Sequence, residues 1–153
     1  IIMTISFNAL GNLGHLGNQM FQYAFLLGMA RKYDVSFCIP HQSHFGGAYY
    51  QELKSNLYEA FGALKLEGAK GISSYPTVRE SHFHFDQSLF EGFNSAYDTN
   101  FYGFFQSSKW FEHIDNEIRS AYTFKEEYEK EAQGIYDGIW EAMDKESSRI
   151  SSY

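Results

Sequence analysis

Three glycines spaced three apart, Gly11, Gly14 and Gly17, lead without a break into Asn18, Gln19 and an apolar run. Glycine permits positive φ and lets a ligand come close to the backbone. A glycine loop that feeds a helix N-terminus leaves several N–H donors pointing one way, which suits an anion, phosphate above all. The spacing is G-x-x-G-x-x-G, however, and not the G-x-G-x-x-G of dinucleotide sites. The second strand ends in Pro40 and His41, where a ribose-binding acid would be needed. A phosphate P-loop is also excluded, because Asn18 and Gln19 stand where Lys and Ser or Thr are required. Spacing alone leaves both an anion site and a tight structural turn open.

Two further stretches carry side chains with chemistry. In His82-Phe83-His84-Phe85-Asp86, a strand would set His82, His84 and Asp86 on one face and the two Phe on the other. Two histidines and a carboxylate can bind a divalent metal, although collinear ligands rarely form a compact set, and surface or hydrogen-bonded histidines are the expected outcome. In Phe101 to Phe111, a strand passing into a capped helix puts Gln106 to Lys109 at the strand's carboxyl end. Ligands bind at that edge in open parallel sheets. Gln106 could hydrogen-bond a sugar or base and Lys109 could meet a phosphate; the alternative is a capping turn with an exposed lysine. Cys38 lies in a buried strand and reads as core, not nucleophile. No Ser/His/Asp set stands out, and no carboxylate pair is indicated by spacing.

These residues need a frame to hold them. Met3 to Asn8 is β-prone, the helix after the glycine loop is expected from about Asn18 to Tyr33, and Val35 to Ile39 is a buried strand ended by Pro40. Met20, Phe21, Ala24, Phe25, Leu27 and Gly28 form the packed side of that helix. Strand, loop, helix, strand is a βαβ unit with parallel strands in a covered sheet. Residues 41–50 read as a loop, Glu52 to Phe61 as a short helix, and 68–76 as a second glycine-containing loop. Thr77 to Phe85 and Phe101 to Gln106 are strand candidates. Ser107 or Ser108 caps a helix running to about Tyr122. A last helix begins at Thr123 or Phe124, and its stripe of Tyr128, Ala132, Ile135, Ile139 and Met143 is expected to pack against a sheet. The fold class is therefore α/β, a Rossmann-like parallel sheet flanked by helices, with residues 1–153 as one domain.

Composition narrows the function classes. Of 153 residues, 44% are hydrophobic and 19% aromatic, a globular make-up. The net charge of −7 gives nucleic-acid binding little electrostatic support. From Glu112 onward the net charge is −6, which reads as a solvated acidic face on the last two helices. One cysteine fits a reducing, cytoplasmic compartment. No apolar run approaches the ~20 residues of a membrane span, and the opening IIMTISF lacks the basic region and cleavage site of a signal peptide.

Gly14-His15-Leu16-Gly17-Asn18-Gln19-Met20-Phe21-Gln22-Tyr23-Ala24 closely resembles the G-x-LGNQMFQYA signature of α-1,2-fucosyltransferases. Phe83-His84-Phe85-Asp86 and Tyr102 to Phe111 resemble later motifs of the same family in the same order, followed by Glu117-Ile118-Arg119 and Phe124. The likeness runs from about Ile5 to about Glu127, and its first motif is the specific one. It implies inverting transfer of fucose from GDP-fucose to a galactose-type hydroxyl of a glycan, without a metal cofactor. It also implies two Rossmann-like halves facing across a cleft, the GT-B arrangement, of which this chain corresponds to the N-terminal, acceptor-side half. Gly14, Gly17, Asn18 and Gln19 would floor the donor site, joined by Gln106 and Lys109. His84 and Asp86 would lie on the acceptor side, with Asp86 or a group of the other half as base. The His-x-Arg-Arg-x-Asp motif, whose arginine meets the diphosphate in that family, does not occur in these 153 residues. The resemblance thus implies a chain inactive alone and a C-terminal half as partner. The rival expectation is a non-catalytic module that binds glycan or protein.

Overall fold

Residues 3–41, 57–61 and 72–151 are described by the computed structural model, with side chains for all but Glu59 and residues 147–151. Residues 42–50 of the expected loop, the first half of the helix expected over 52–61 and the glycines at 68 and 71 lie outside the described residues.

The β-branched and aromatic run after Met3 gives β1 (Thr4–Ser6), and α1 (Leu16–Tyr33) follows the glycine loop. Asp34, in the left-handed region at φ 49°, ends α1 by donating its N–H to Ala30 and Arg31 carbonyls, which turns the chain into β2 (Ser36–Cys38). A single turn, α2 (Leu57–Ala60), precedes β3 (Thr77–Arg79), α3 (Gln87–Gly92) and β4 (Thr99–Tyr102). Two 3-10 turns, Ser108–Trp110 and Glu112–Ile114, lead into α4 (Asp115–Ala121) and α5 (Glu126–Ser151).

The four strands form an all-parallel sheet in the order β2-β1-β4-β3. Ser6 aligns with Cys38 on one side and Asn100 on the other, and Arg79 aligns with Tyr102. The expected α/β class and the parallel βαβ unit are therefore present. Because all strands run one way, the loops after β1, β3 and β4 emerge at a single edge.

The core is aromatic. Phe25 stacks on Phe105 at 3.7 Å and meets Phe101 and Trp110 edge-on at 5.0 and 4.9 Å. Such ring pairs add about 0.5–1.5 kcal/mol each beyond burial. Phe85 and Phe90 pack on Trp110 from the α3 side. Cys38 is buried in β2, as expected of a core residue.

Several expectations need correction. Helix α1 has no single packed side: every residue from Gln22 to Ala30 is buried. It touches β1 and β2, α2 and the 3-10 turns, so it is covered from more than one direction. The strand over 77–85 ends at Arg79, because residues 82–84 bend and Asp86 is the N-cap of α3. The strand over 101–106 begins earlier, at Thr99, and stops at Tyr102, where Gly103 takes φ 154°. The helix over 108–122 breaks into two 3-10 turns before α4. The last correction concerns α5. Its apolar stripe does not pack on a sheet: Ile135, Ile139 and Met143 are all more than half exposed. Helix α1 lies against β1 and β2 and is itself covered by the 3-10 turns, and among the described residues the Phe61–Phe124 bridge and the Lys125 N–H to Ala60 carbonyl bond tie the start of α5 to the body.

Candidate functional site at the carboxyl edge of the sheet

The glycine loop makes its turn at two positions. Gly11 and Gly14 both have φ 89°, where a side chain is strained. A Cβ on Gly14 would also lie 2.3–2.8 Å from side-chain atoms of Asn18. Gly14 is thus required by its own conformation and by the space Asn18 fills. Gly17 differs: it is helical, exposed, and has no atom of the described residues within 4 Å of a built Cβ. Its open side is what close approach of a ligand needs.

Helix α1 begins at Leu16, and its first rung is the Gln19 N–H to His15 carbonyl bond at 3.0 Å. The N–H groups of Leu16, Gly17 and Asn18 precede that rung and have no intrahelical acceptor. His15 supplies no side-chain cap, and no acidic residue occupies the first turn. The N-terminal end of the macrodipole is therefore left positive, with no carboxylate in the helix's own first turn.

Asn18 reaches the loop that follows β4. Gln106 Nε2 donates to Asn18 Oδ1 at 2.5 Å across 88 positions of sequence. Among the described residues, no hydrogen bond is made by the remaining Asn18 Nδ2 donor or Gln106 Oε1 acceptor, and Gln106 is exposed. The pair thus presents one donor and one acceptor at the sheet edge, beside the opening turn of α1.

Gln19 does other work. It is fully buried; its Oε1 accepts from the Leu57 N–H at 3.2 Å and its Nε2 donates to the Gly14 carbonyl at 3.4 Å. Its side chain braces the loop from below. Gln22, also fully buried, donates from Nε2 to the Leu13 carbonyl at 2.9 Å and the Gly103 carbonyl at 3.2 Å. It clamps the two site loops together, and among the described residues its Oε1 has no partner.

Lys109 is exposed and lies over the Phe85 ring at 5.8 Å. The Ser107 hydroxyl accepts from the Lys109 N–H at 3.3 Å and caps the 3-10 turn, so the expected cap is present although the helix is shorter. Asp86 caps α3 by accepting from the Leu89 N–H at 3.2 Å, while its other oxygen accepts from the Ser81 hydroxyl at 3.5 Å. His82 and His84 are exposed on a bend with ring centroids 6.0 Å apart. The strand face that would have aligned them with Asp86 does not form. Among the described residues, no group of three or more His, Cys, Asp or Glu is arranged to hold a metal ion.

The structure adds residues that sequence reasoning missed. The Asn100 side chain accepts from the Asn8 N–H at 2.8 Å and donates to the Thr77 hydroxyl at 3.0 Å. Asn8 Oδ1 accepts from the Ser73 N–H at 3.0 Å, and Asn8 Nδ2 donates to the Ser73 carbonyl at 2.9 Å. This network pins residue 73 beside the end of β1 and ties that end to Asn100 of β4. The available signal was asparagine at the end of β1 and inside β4, where strands disfavour it. Glu80 is the other omission: its carboxylate accepts from the Phe104 and Phe105 N–H groups at 3.1 and 2.8 Å.

A shallow depression of about 390 Å³ over Glu112–Glu117 is separate from this edge. His113 there donates to the Gly28 carbonyl, twelve residues along α1, about 18 Å from its start at 1.5 Å per residue. No helix of the described residues is long and apolar enough to cross a membrane. No protein-family model matches the chain, and neither does any curated protein or solved structure.

Proposed function

We propose that the carboxyl edge of the sheet is one wall of a nucleotide-sugar site, and that the chain is the acceptor-side half of a cytoplasmic α-1,2-fucosyltransferase of GT-B type. The observation that carries the reading is the Asn18–Gln106 hydrogen bond. It joins the two most distant motifs of the resemblance, and Phe85 against Trp110 joins the intervening one to the last. Three stretches that look like one family in sequence therefore converge on one edge.

In this reading the N–H groups of Leu16, Gly17 and Asn18 face the diphosphate of GDP-fucose. The free Asn18 Nδ2 donates to the oxygen of the fucose–phosphate bond, and Lys109 adds a cation. His84 and Asp86 line the acceptor side. Cleavage of that bond puts charge on the leaving diphosphate, which a bidentate arginine would stabilise best. Arg31 is engaged by Glu117 at 2.7 Å, far from the start of α1. The 153 residues alone are therefore expected to bind GDP but not to transfer fucose. Turnover of GDP-fucose with a galactoside acceptor by the purified chain would refute the second half of that statement.

Calorimetric titration with GDP and with lactose separates this reading from a glycan-binding module. Saturable GDP binding that is lost in Asn18→Ala supports the nucleotide-sugar wall. Lactose binding without GDP binding supports the module.

A further inference from the structure

Gln106 is exposed, yet its carboxamide has a defined address on Asn18. The backbone that delivers it is unusual. Gly103 has φ 154° and Phe105, a non-glycine residue, has φ 50° in the left-handed region. A phenylalanine holds that conformation only when its surroundings over-determine it. One determinant is the burial of its ring between Phe7 and Phe25. The other is Glu80. Its own N–H donates to the Tyr102 carbonyl at 2.8 Å, continuing the β3–β4 ladder by one residue. Its two carboxylate oxygens then accept separately from the Phe104 and Phe105 N–H groups. The close approach is built in: a Cβ on Gly103 would stand 2.4 Å from the Glu80 Cβ.

A carboxylate that satisfies two successive N–H groups fixes the peptide planes on both sides of residue 104. The next residues along the chain are Phe105 and Gln106. We propose that Glu80 is a positioning residue for the ligand site: it sets the turn after β4 so that Gln106 meets Asn18, and it acts on a bound nucleoside diphosphate only through that pair. The inference rests on the nucleotide-sugar reading for its ligand, but not for its geometry.

The test combines binding, coupling and a local probe. GDP dissociation constants are measured by calorimetry for the intact chain and for Glu80→Ala, Glu80→Gln, Gln106→Ala and Glu80→Ala/Gln106→Ala, each with a thermal melt. Glu80→Ala is expected to weaken GDP binding at least about tenfold, and to add less than about twofold once Gln106 is already alanine. A full, additive effect in the Gln106→Ala background, or no effect in the intact one, overturns the proposal. If Glu80→Ala does not fold, Glu80→Gln takes its place: the amide keeps the volume and one acceptor, and loss of binding with the same coupling is expected. If the intact chain takes up no GDP, the nucleotide reading fails, and the Glu80 inference is decided by the side-chain amide NMR signals of Gln106. These are expected to move toward solvent-like positions in Glu80→Gln. Unchanged Gln106 signals would overturn it.

Discussion

Gly14 and Gly17 look equivalent in the G-x-x-G repeat, but the chain uses them for opposite reasons. Gly14→Ala is expected to cost about 1–3 kcal/mol, from its positive φ and from collision with Asn18. It should weaken GDP binding by displacing that side chain. Gly17→Ala should leave stability unchanged or raise it by up to about 1 kcal/mol, because its φ is helical and its Cβ meets none of the described residues. It should weaken GDP binding nonetheless. Thermal melts paired with calorimetry distinguish the two; a stable Gly17→Ala that binds GDP as tightly as the parent would contradict close ligand approach at that position. At this scale the glycine turn and the position of Gln106 and Lys109 just after a strand could be read from residue type and spacing, whereas a site role for Asn18 came only from the family resemblance. Glu80 and Gln22 could not, since each acts on backbone groups distant in sequence and no local pattern announces that.

The elements show where periodicity misleads. A one-sided stripe was expected on α1, whereas the whole stretch around Phe25 is enclosed by strands and 3-10 turns. Gly28 sits where the chain crosses itself: an added Cβ would lie 2.2 Å from the Trp110 carbonyl oxygen. Gly28→Ala should therefore destabilise by about 1–3 kcal/mol despite the better helix propensity of alanine, readable as a fall in denaturation midpoint. The converse error occurs in α5, where a helical stripe was read as packed. Ile139 is 54% exposed and Ile118 of α4 is 6% exposed. Ile139→Ala should change stability by less than about 0.5 kcal/mol and Ile118→Ala should cost about 2–5 kcal/mol, by chemical denaturation. Periodicity identifies a helix and its apolar face; whether anything lies opposite depends on packing space, which a single sequence does not contain.

Across the whole molecule, the α/β class and parallel sheet were legible because βαβ units leave a strong local signature. The strand order and the polar network of Asn8, Ser73 and Asn100 arise only when strands far apart in sequence become neighbours. Global stability should carry an alkaline limit. Burial, followed by the nearby Tyr23, pushes the Tyr58 phenol from 10.0 up to about 12 and holds Tyr122 well above its ordinary value. The Tyr122 hydroxyl also donates to the Met20 carbonyl. Each phenol ionises in the unfolded chain before it does in the folded one. Stability is thus fully present below about pH 10 and falls as pH rises from there through the folded-state values. Melting temperature measured from pH 8 to 12 should decline only above about 10, and a flat profile would remove these two phenols from the balance.

The central claim is that loops far apart in sequence form one nucleotide-diphosphate wall at the carboxyl edge of the sheet. Its most direct test is an NMR titration of the isotope-labelled chain with GDP. Saturable shifts should appear together at Gly14, Gly17 and Asn18 and at Gln106 and Lys109, with the Asn18 and Gln106 side-chain amides moving in step. Shifts confined to the depression over Glu112–Glu117 or to α5, or no saturable shifts at all, would contradict it.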